Sequence, residues 1–168
     1  DSLVTNPHKW LAASFDCSTY FVQDPEHLVR VMSTNPSYLQ SSVDERVANL
    51  RDWGIPLGRR FRALKLWFLL RGNGAEAIRT RLRRDMDNAR WLADEARKTP
   101  HWKVLAPVHL QTVCLRHEPP GLSGDALDRH TRAWAEAVNQ SGEAYVTPAT
   151  LEGRWMVRVS IGSLTTER

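Results

Sequence analysis

The sequence predicts an α/β chain in two parts: the end of a larger sheet domain up to about Val31, and a small α+β domain from about Leu57 onward. Three observations predict this. Leu3 to Val22 is rich in strand formers. Apolar residues between Leu57 and Ala96 recur at helical spacing. Trp155, Val157, Val159 and Ile161 alternate with Met156, Arg158 and Ser160, as in a half-buried strand.

Taken in order, Leu3 begins a short strand, Pro7 to Lys9 forms a loop, and a strand pair covers Leu11 to Val22. Asp24 followed by Pro25 signals a cap and first turn for a helix to Met32. Ser33 to Asp52 holds Ser, Asn, Pro, Gln and Asp with few large apolar groups. A loop of that length suits a lid, and its local stability is expected to be low. Residues 32–56 are therefore assigned to lid and linker.

Leu57, Phe61, Leu64 and Phe68 then mark a helix that Gly72-Asn73-Gly74 ends. Ala75, Ile78, Leu82, Met86, Ala89, Leu92 and Ala96 mark a long one that stops before Pro100. Both stripes are expected to be core. Strands follow at Trp102 to Ala106 and Leu110 to Arg116. Ser123 caps a helix to Gln140 with Gly142 past its end, and Ala144 to Thr147 forms a short strand before the last one. The helices are expected to cover one face of the sheet.

The 168 residues are 42% hydrophobic and 25% charged, enough for a packed core. The longest apolar run, Leu64 to Leu70, is interrupted by Lys65, so no membrane partner is expected. The start at Asp1 resembles neither an initiator Met nor a signal peptide, and reads as cut from a longer chain. Cys17 and Cys114 read as buried free thiols of a reducing cytoplasm. The net charge of +4 gathers at Arg59, Arg60, Arg62, Lys65 and Arg71, and again between Arg79 and Arg90. Acidic residues interleave with the second group and no aromatic–basic alternation accompanies either. A solvated face with a subunit or phosphate contact is expected, not nucleic acid. His109, Cys114 and His117 do not form a zinc site, because strand alternation puts Cys114 and His117 on opposite faces.

The chemistry-bearing run is Asn6-Pro7-His8-Lys9-Trp10. A lysine after a strand and a proline-stiffened turn sits between Leu3, Val4, Trp10 and Leu11; by pattern alone it reads as a surface lysine, whereas one held among apolar groups would be a candidate nucleophile. Such surroundings disfavour its charged form and favour a nucleophilic amine. This run is similar to the lysine motif of the aromatic-L-amino-acid decarboxylases, the group II pyridoxal-phosphate decarboxylases. Phe15-Asp16-Cys17-Ser18, Asn35-Pro36-Ser37-Tyr38-Leu39, the run Trp53 to Arg62 and the strand Trp155 to Ser160 resemble the same family in the same order.

The resemblance implies a fold-type-I enzyme with pyridoxal 5'-phosphate as cofactor, working as a homodimer on an aromatic L-amino acid. It implies that Lys9 forms the Schiff base and that Asn6 and His8 line the cofactor phosphate. Tyr38 matches a lid tyrosine that reaches the neighbouring subunit. Gly58 matches a position beside the partner's phosphate and substrate pocket; locally it reads as a helix-start glycine. Family members with phenylalanine at the Tyr38 position tend to be aldehyde synthases. Histidine-specific members tend to carry serine at the Gly58 position, and glutamate-specific members differ at the place of Trp10. Decarboxylation of histidine or an acidic amino acid is the alternative, with an inactive binding module as the rival of another class. The family's pyridinium-binding aspartate, stacking histidine and phosphate loop match nothing in these 168 residues, which alone are not expected to catalyse.

Overall fold

The computed structural model describes residues 1–34, 36–39, 42 and 46–167. Its contacts divide the chain into two compact units, Asp1–Ala75 and Glu76–Arg168. The division falls after the helix that the sequence placed at the head of the second part.

In the first unit, β1 (Ser2–Thr5) and β2 (Thr19–Val22) form an antiparallel ribbon with Ser2 opposite Val22 and Thr5 opposite Thr19. The strand pair expected over Leu11 to Val22 is therefore one strand, and its partner is β1. Residues 11–18 instead fold back through backbone bonds: Ala13 N–H donates to Pro7 O (2.9 Å) and Ala12 N–H to Lys9 O (3.0 Å). Helix α1 (Pro25–Met32) starts as expected, with Asp24 Oδ1 accepting from His27 N–H at 2.9 Å and Pro25 in the first turn. Two 3-10 turns, Ser37–Leu39 and Leu50–Trp53, interrupt the long polar segment. Ser33 Oγ donates to Asp52 Oδ1 (2.7 Å), closing the segment's two ends on each other. Of the Ser33 to Asp52 segment, whose local stability is expected to be low, Asn35, Gln40, Ser41, Val43, Asp44 and Glu45 lie outside the described residues.

Helix α2 spans Ala63–Asn73 and ends at Gly74, whose φ of 78° takes the chain out of the helix while its N–H still bonds Leu70 O. Two expectations fail here. Leu57 to Arg62 is not helical, and the stripe is not core: Phe61 is 74% exposed and Phe68 61%, with Leu64 and Trp67 also exposed. The described residues of the unit leave that face exposed; a stripe of spacing three and four records burial somewhere, not burial within these residues.

The second unit is an antiparallel sheet, β3-β4-β6-β5, covered on one face by two helices. Its elements are α3 (Ala75–Lys98), β3 (Trp102–Val104), β4 (Thr112–His117), α4 (Gly124–Ser141), β5 (Thr147–Leu151) and β6 (Arg154–Ser160). Ala89, Ala93 and Ala96 lie on one face of α3 and let it approach Val113 and Leu115 of β4 closely. Ala135 of α4 packs on Val157, with Trp134, Val138 and Val159 around it. Register places Val113 opposite Val159 and Leu115 opposite Val157, so all four face the helices. Asp85 is fully buried on α3 beside Arg81 (3.5 Å) and Arg84 (3.7 Å), where the stripe pattern had indicated only apolar groups.

The short strand expected at Ala144 to Thr147 lies instead at Thr147–Leu151. Glu152 and Gly153 both have positive φ (51° and 76°), the two-residue hairpin turn that matches strand twist, and β5 must run back from it along β6. Upstream, the Asn139 side chain clamps Val146 from both sides, accepting from its N–H (2.7 Å) and donating to its O (3.0 Å).

Three histidines of this unit, His101, His117 and His130, cluster; among the described residues no group of His, Cys, Asp and Glu could hold a metal ion. His117 of β4 has Nδ1 3.0 Å from Nε2 of His130 on α4, stacks on Trp102, and has His101 near. Desolvation, then His130 and His101, hold the His117 imidazole below its ordinary value of 6.5. The unfolded chain therefore takes up this proton before the native one does. Stability is expected to fall as pH drops through about 6.5, levelling below the native pKa. Urea unfolding followed by tryptophan fluorescence should show a lower midpoint at about pH 5.5 than at about pH 7.5, with the difference reduced in His117→Gln.

Candidate active site

The site is built around the turn that follows β1. Lys9 N–H donates to Asn6 O at 2.9 Å, closing a tight turn over Pro7, which is fully buried. The turn places Asn6, His8 and Lys9 within four residues, and each side chain is committed differently. Asn6 Oδ1 accepts from Ser18 Oγ at 2.6 Å, which leaves its amide nitrogen as a donor. His8 Nδ1 lies 2.7 Å from Cys17 O and 3.1 Å from Cys17 N, so the residue after Asp16 fixes the ring and leaves Nε2 as the outward edge. Phe15 meets the His8 ring edge-on at 5.0 Å.

Lys9 is exposed, as its pattern alone reads, and its apolar neighbours do not enclose it among the described residues. Leu3 and Val4 are themselves 58% and 60% exposed on the open ribbon, and Trp10 and Leu11 are only half-buried. Two strands have no second layer with which to bury a side chain. Among the described residues Lys9 Nζ has no ion pair, whereas Lys65 and Lys98 are held by Asp16 and Glu95.

Asn6, His8 and Lys9 thus come together, but the other two predicted residues do not join them. Tyr38 sits in the first 3-10 turn with its ring 76% exposed. Gly58 lines a cleft of about 580 Å3 with Cys17, Ser18, Thr19, Arg59, Arg60 and Phe61. It lies five residues before α2, so it does not start that helix, and a Cβ built on it meets nothing within 4 Å.

Sequence reasoning missed the group that joins the cleft to the turn. Asp16 Oδ2 accepts from Arg62 Nε at 2.9 Å, with Arg60 at 3.7 Å and Lys65 at 3.9 Å from Oδ1. The Arg62 hydrogen bond, more than any other influence, holds the Asp16 carboxyl below the ordinary carboxylate value. The signal was present in two halves, Phe15-Asp16-Cys17-Ser18 and the cationic run Arg59 to Lys65. Nothing local connects residues 46 apart.

Residues 1–118 match the model of the pyridoxal-dependent decarboxylase conserved domain. The whole chain aligns with a tryptophan decarboxylase of Camptotheca acuminata at 35% identity, covering 34% of that protein. A phenylacetaldehyde synthase of Arabidopsis thaliana aligns over 99% of the chain at 34% identity, again over 34% of its own length. The crystal structure of Oryza sativa TDC with PLP and tryptamine superposes with a TM-score of 0.88 at 32% identity, covering 99% of this chain and 35% of that one. The chain spans about a third of the length of the curated relatives it matches.

Proposed function

Since this chain belongs to the pyridoxal-dependent decarboxylase family, we propose that it is the C-terminal part of a homodimeric, cytoplasmic enzyme that uses pyridoxal 5'-phosphate to convert an aromatic L-amino acid to its amine and carbon dioxide. The observation that carries this reading is the turn at Asn6 to Lys9, which presents one uncommitted amine beside two groups able to donate to an anion. The relative bound to PLP and tryptamine supports the cofactor and the aromatic substrate. The free thiols of Cys17 and Cys114 suit a reducing compartment. The exposed apolar face of α2, where Trp67 and Phe68 meet edge-on at 5.0 Å, supports burial against another surface and so the dimer. In this reading residues 1–31 end the large domain, 32–56 are the lid and linker, and 57–168 are the small domain.

The residues present fit the cofactor. Bound there, it supplies an electron sink for the bond that breaks. Lys9 Nζ would hold it through its aldehyde carbon. The Asn6 amide nitrogen and the His8 Nε2 edge, a donor when the ring is protonated, face the phosphate. The rest of the protein encloses Lys9, which these residues leave open, and excludes water around it. Tyr38 brings a phenol hydroxyl to the partner's substrate and donates the proton that replaces carbon dioxide. Gly58 keeps room beside the partner's pocket for an aromatic ring.

The test is product analysis with the full-length protein, supplied in turn with tryptophan, tyrosine, phenylalanine and histidine. Amine and carbon dioxide in equal amounts are expected from one or more of the aromatic three. No amine from any of them, with cofactor bound, defeats the substrate assignment. Gly58→Ser probes the pocket directly. Since a Cβ at Gly58 meets nothing within 4 Å, the substitution should leave folding intact. It is expected to shift kcat/KM towards histidine by about 1–3 kcal/mol relative to the aromatic substrate. Unchanged selectivity would place substrate reading elsewhere.

A further inference from the structure

We propose that Asp16 is a positioning residue for the active site: its carboxylate ties the Gly58–Arg62 segment to the Cys17–His8 clamp and so sets how the turn presents Lys9. The inference rests on the reading that Lys9 holds the cofactor.

The ties run in one continuous series. Arg62 donates from Nε to Asp16 Oδ2 at 2.9 Å, and Arg60 and Lys65 flank Oδ1 at 3.7 and 3.9 Å. Lys65 Nζ also donates to the backbone oxygens of Phe15 (2.9 Å) and Asp16 (3.3 Å), and Cys17 Sγ lies 3.8 Å from Arg62 O. The backbone of residues 15–17 is therefore held by residues 60–65 on both sides of the carboxylate. Cys17 in turn holds His8 at backbone and ring: its O accepts His8 N–H at 3.2 Å, and the ring's Nδ1 lies 2.7 Å from that O and 3.1 Å from Cys17 N, donating to the first in one tautomer and accepting from the second in the other. His8 is the residue before Lys9.

Three cations around one carboxylate are more than a surface ion pair requires. A neutral side chain at position 16 would leave Arg60, Arg62 and Lys65 facing one another. The segment would shift, and the His8 ring and Lys9 would shift with it. Asp16 touches neither cofactor nor substrate in this account; it acts through Cys17 and His8.

The experiment uses the full-length enzyme and compares Asp16→Asn, Asp16→Glu and Arg62→Lys with the parent. The surface change Asp87→Asn, which removes only the pair with Arg90, serves as control. Cofactor affinity is measured by titrating the apoenzyme. Turnover is measured at saturating cofactor, and the circular dichroism of the bound cofactor reports its orientation. Asp16→Asn is expected to lower turnover by about 10–100-fold, the scale of a small misplacement of a reacting group. It should also weaken cofactor binding and alter the dichroism, while the thermal midpoint stays near that of the control. Asp16→Glu should recover most of the loss, because charge and acceptor remain. Turnover and affinity in Asp16→Asn within about twofold of the parent, against that expected 10–100-fold, overturn the inference. Should Asp16→Asn not accumulate folded, Arg62→Lys decides: it keeps the charge but loses the Nε bond, and parental turnover and dichroism there also overturn it. Trapping the cofactor on Lys9 in the parent separates the two ideas. Without that adduct the functional reading fails; with it, a silent Asp16 refutes only the positioning role.

Discussion

Lys9→Ala is expected to abolish the borohydride-trappable link between protein and cofactor in the full-length enzyme, and to cut turnover by about a thousandfold or more, as when a member of a reacting unit is removed. The turn is closed by Lys9 N–H on Asn6 O and by Ala12 N–H on Lys9 O, and neither bond involves the side chain. Alanine keeps both, so the loss is chemical and not one of folding. The remaining lysines offer no substitute. Lys65 is held by Asp16 and two backbone oxygens, Lys98 pairs with Glu95, and Lys103 sits in the middle of strand β3 and follows no such turn. Reduction of the parent should leave the cofactor as a secondary amine on the peptide containing Lys9. Recovery of the adduct on Lys65, Lys98 or Lys103 would sink the assignment.

Where a local rule decides structure, the sequence was readable. Asp24-Pro25 begins α1, Gly142 in the left-handed region follows α4, and alternation from Trp155 marks β6. Elements set by what they pair or pack against were not. β5 takes its place from the hairpin turn at Glu152-Gly153, and the Ala-Tyr-Val run before it offered an equally good strand pattern. The apolar stripe on α2 was read correctly as a stripe and wrongly as buried within the chain, because periodicity records burial in the whole protein. The exposure of Lys9 follows from the same limit. Its neighbours are apolar, yet a two-stranded ribbon cannot enclose it. In the site, the Asn6 to Lys9 turn was legible because its parts are adjacent. The Asp16 cluster was not, because opposite charges 46 residues apart leave no pattern along the chain.

Tyr38→Phe is expected to convert amine production largely into aldehyde, ammonia and hydrogen peroxide, with cofactor binding unchanged. Tyr38 lies in the Ser37–Leu39 turn with its ring 76% exposed, so removing one hydroxyl breaks no packing among the described residues. What it removes is a proton donor. After carbon dioxide leaves, the substrate carbon carries an electron pair that a proton must take up for the amine to form. A positioned acid typically speeds such a transfer by about 10²–10⁴-fold. When the donor is lost, dissolved oxygen has time to accept two electrons from that carbon. The resulting imine takes up water, so one amino acid, one oxygen and one water give one aldehyde, carbon dioxide, ammonia and hydrogen peroxide. The tendency of family members with phenylalanine here to be aldehyde synthases points the same way. Product analysis under air and under nitrogen provides the check. Under air the variant should release aldehyde and peroxide in equal amounts, and under nitrogen both should vanish while slow amine formation persists. Amine production at the parent rate under air would mean that Tyr38 is only a loop residue, and that the proton comes from a group outside this segment.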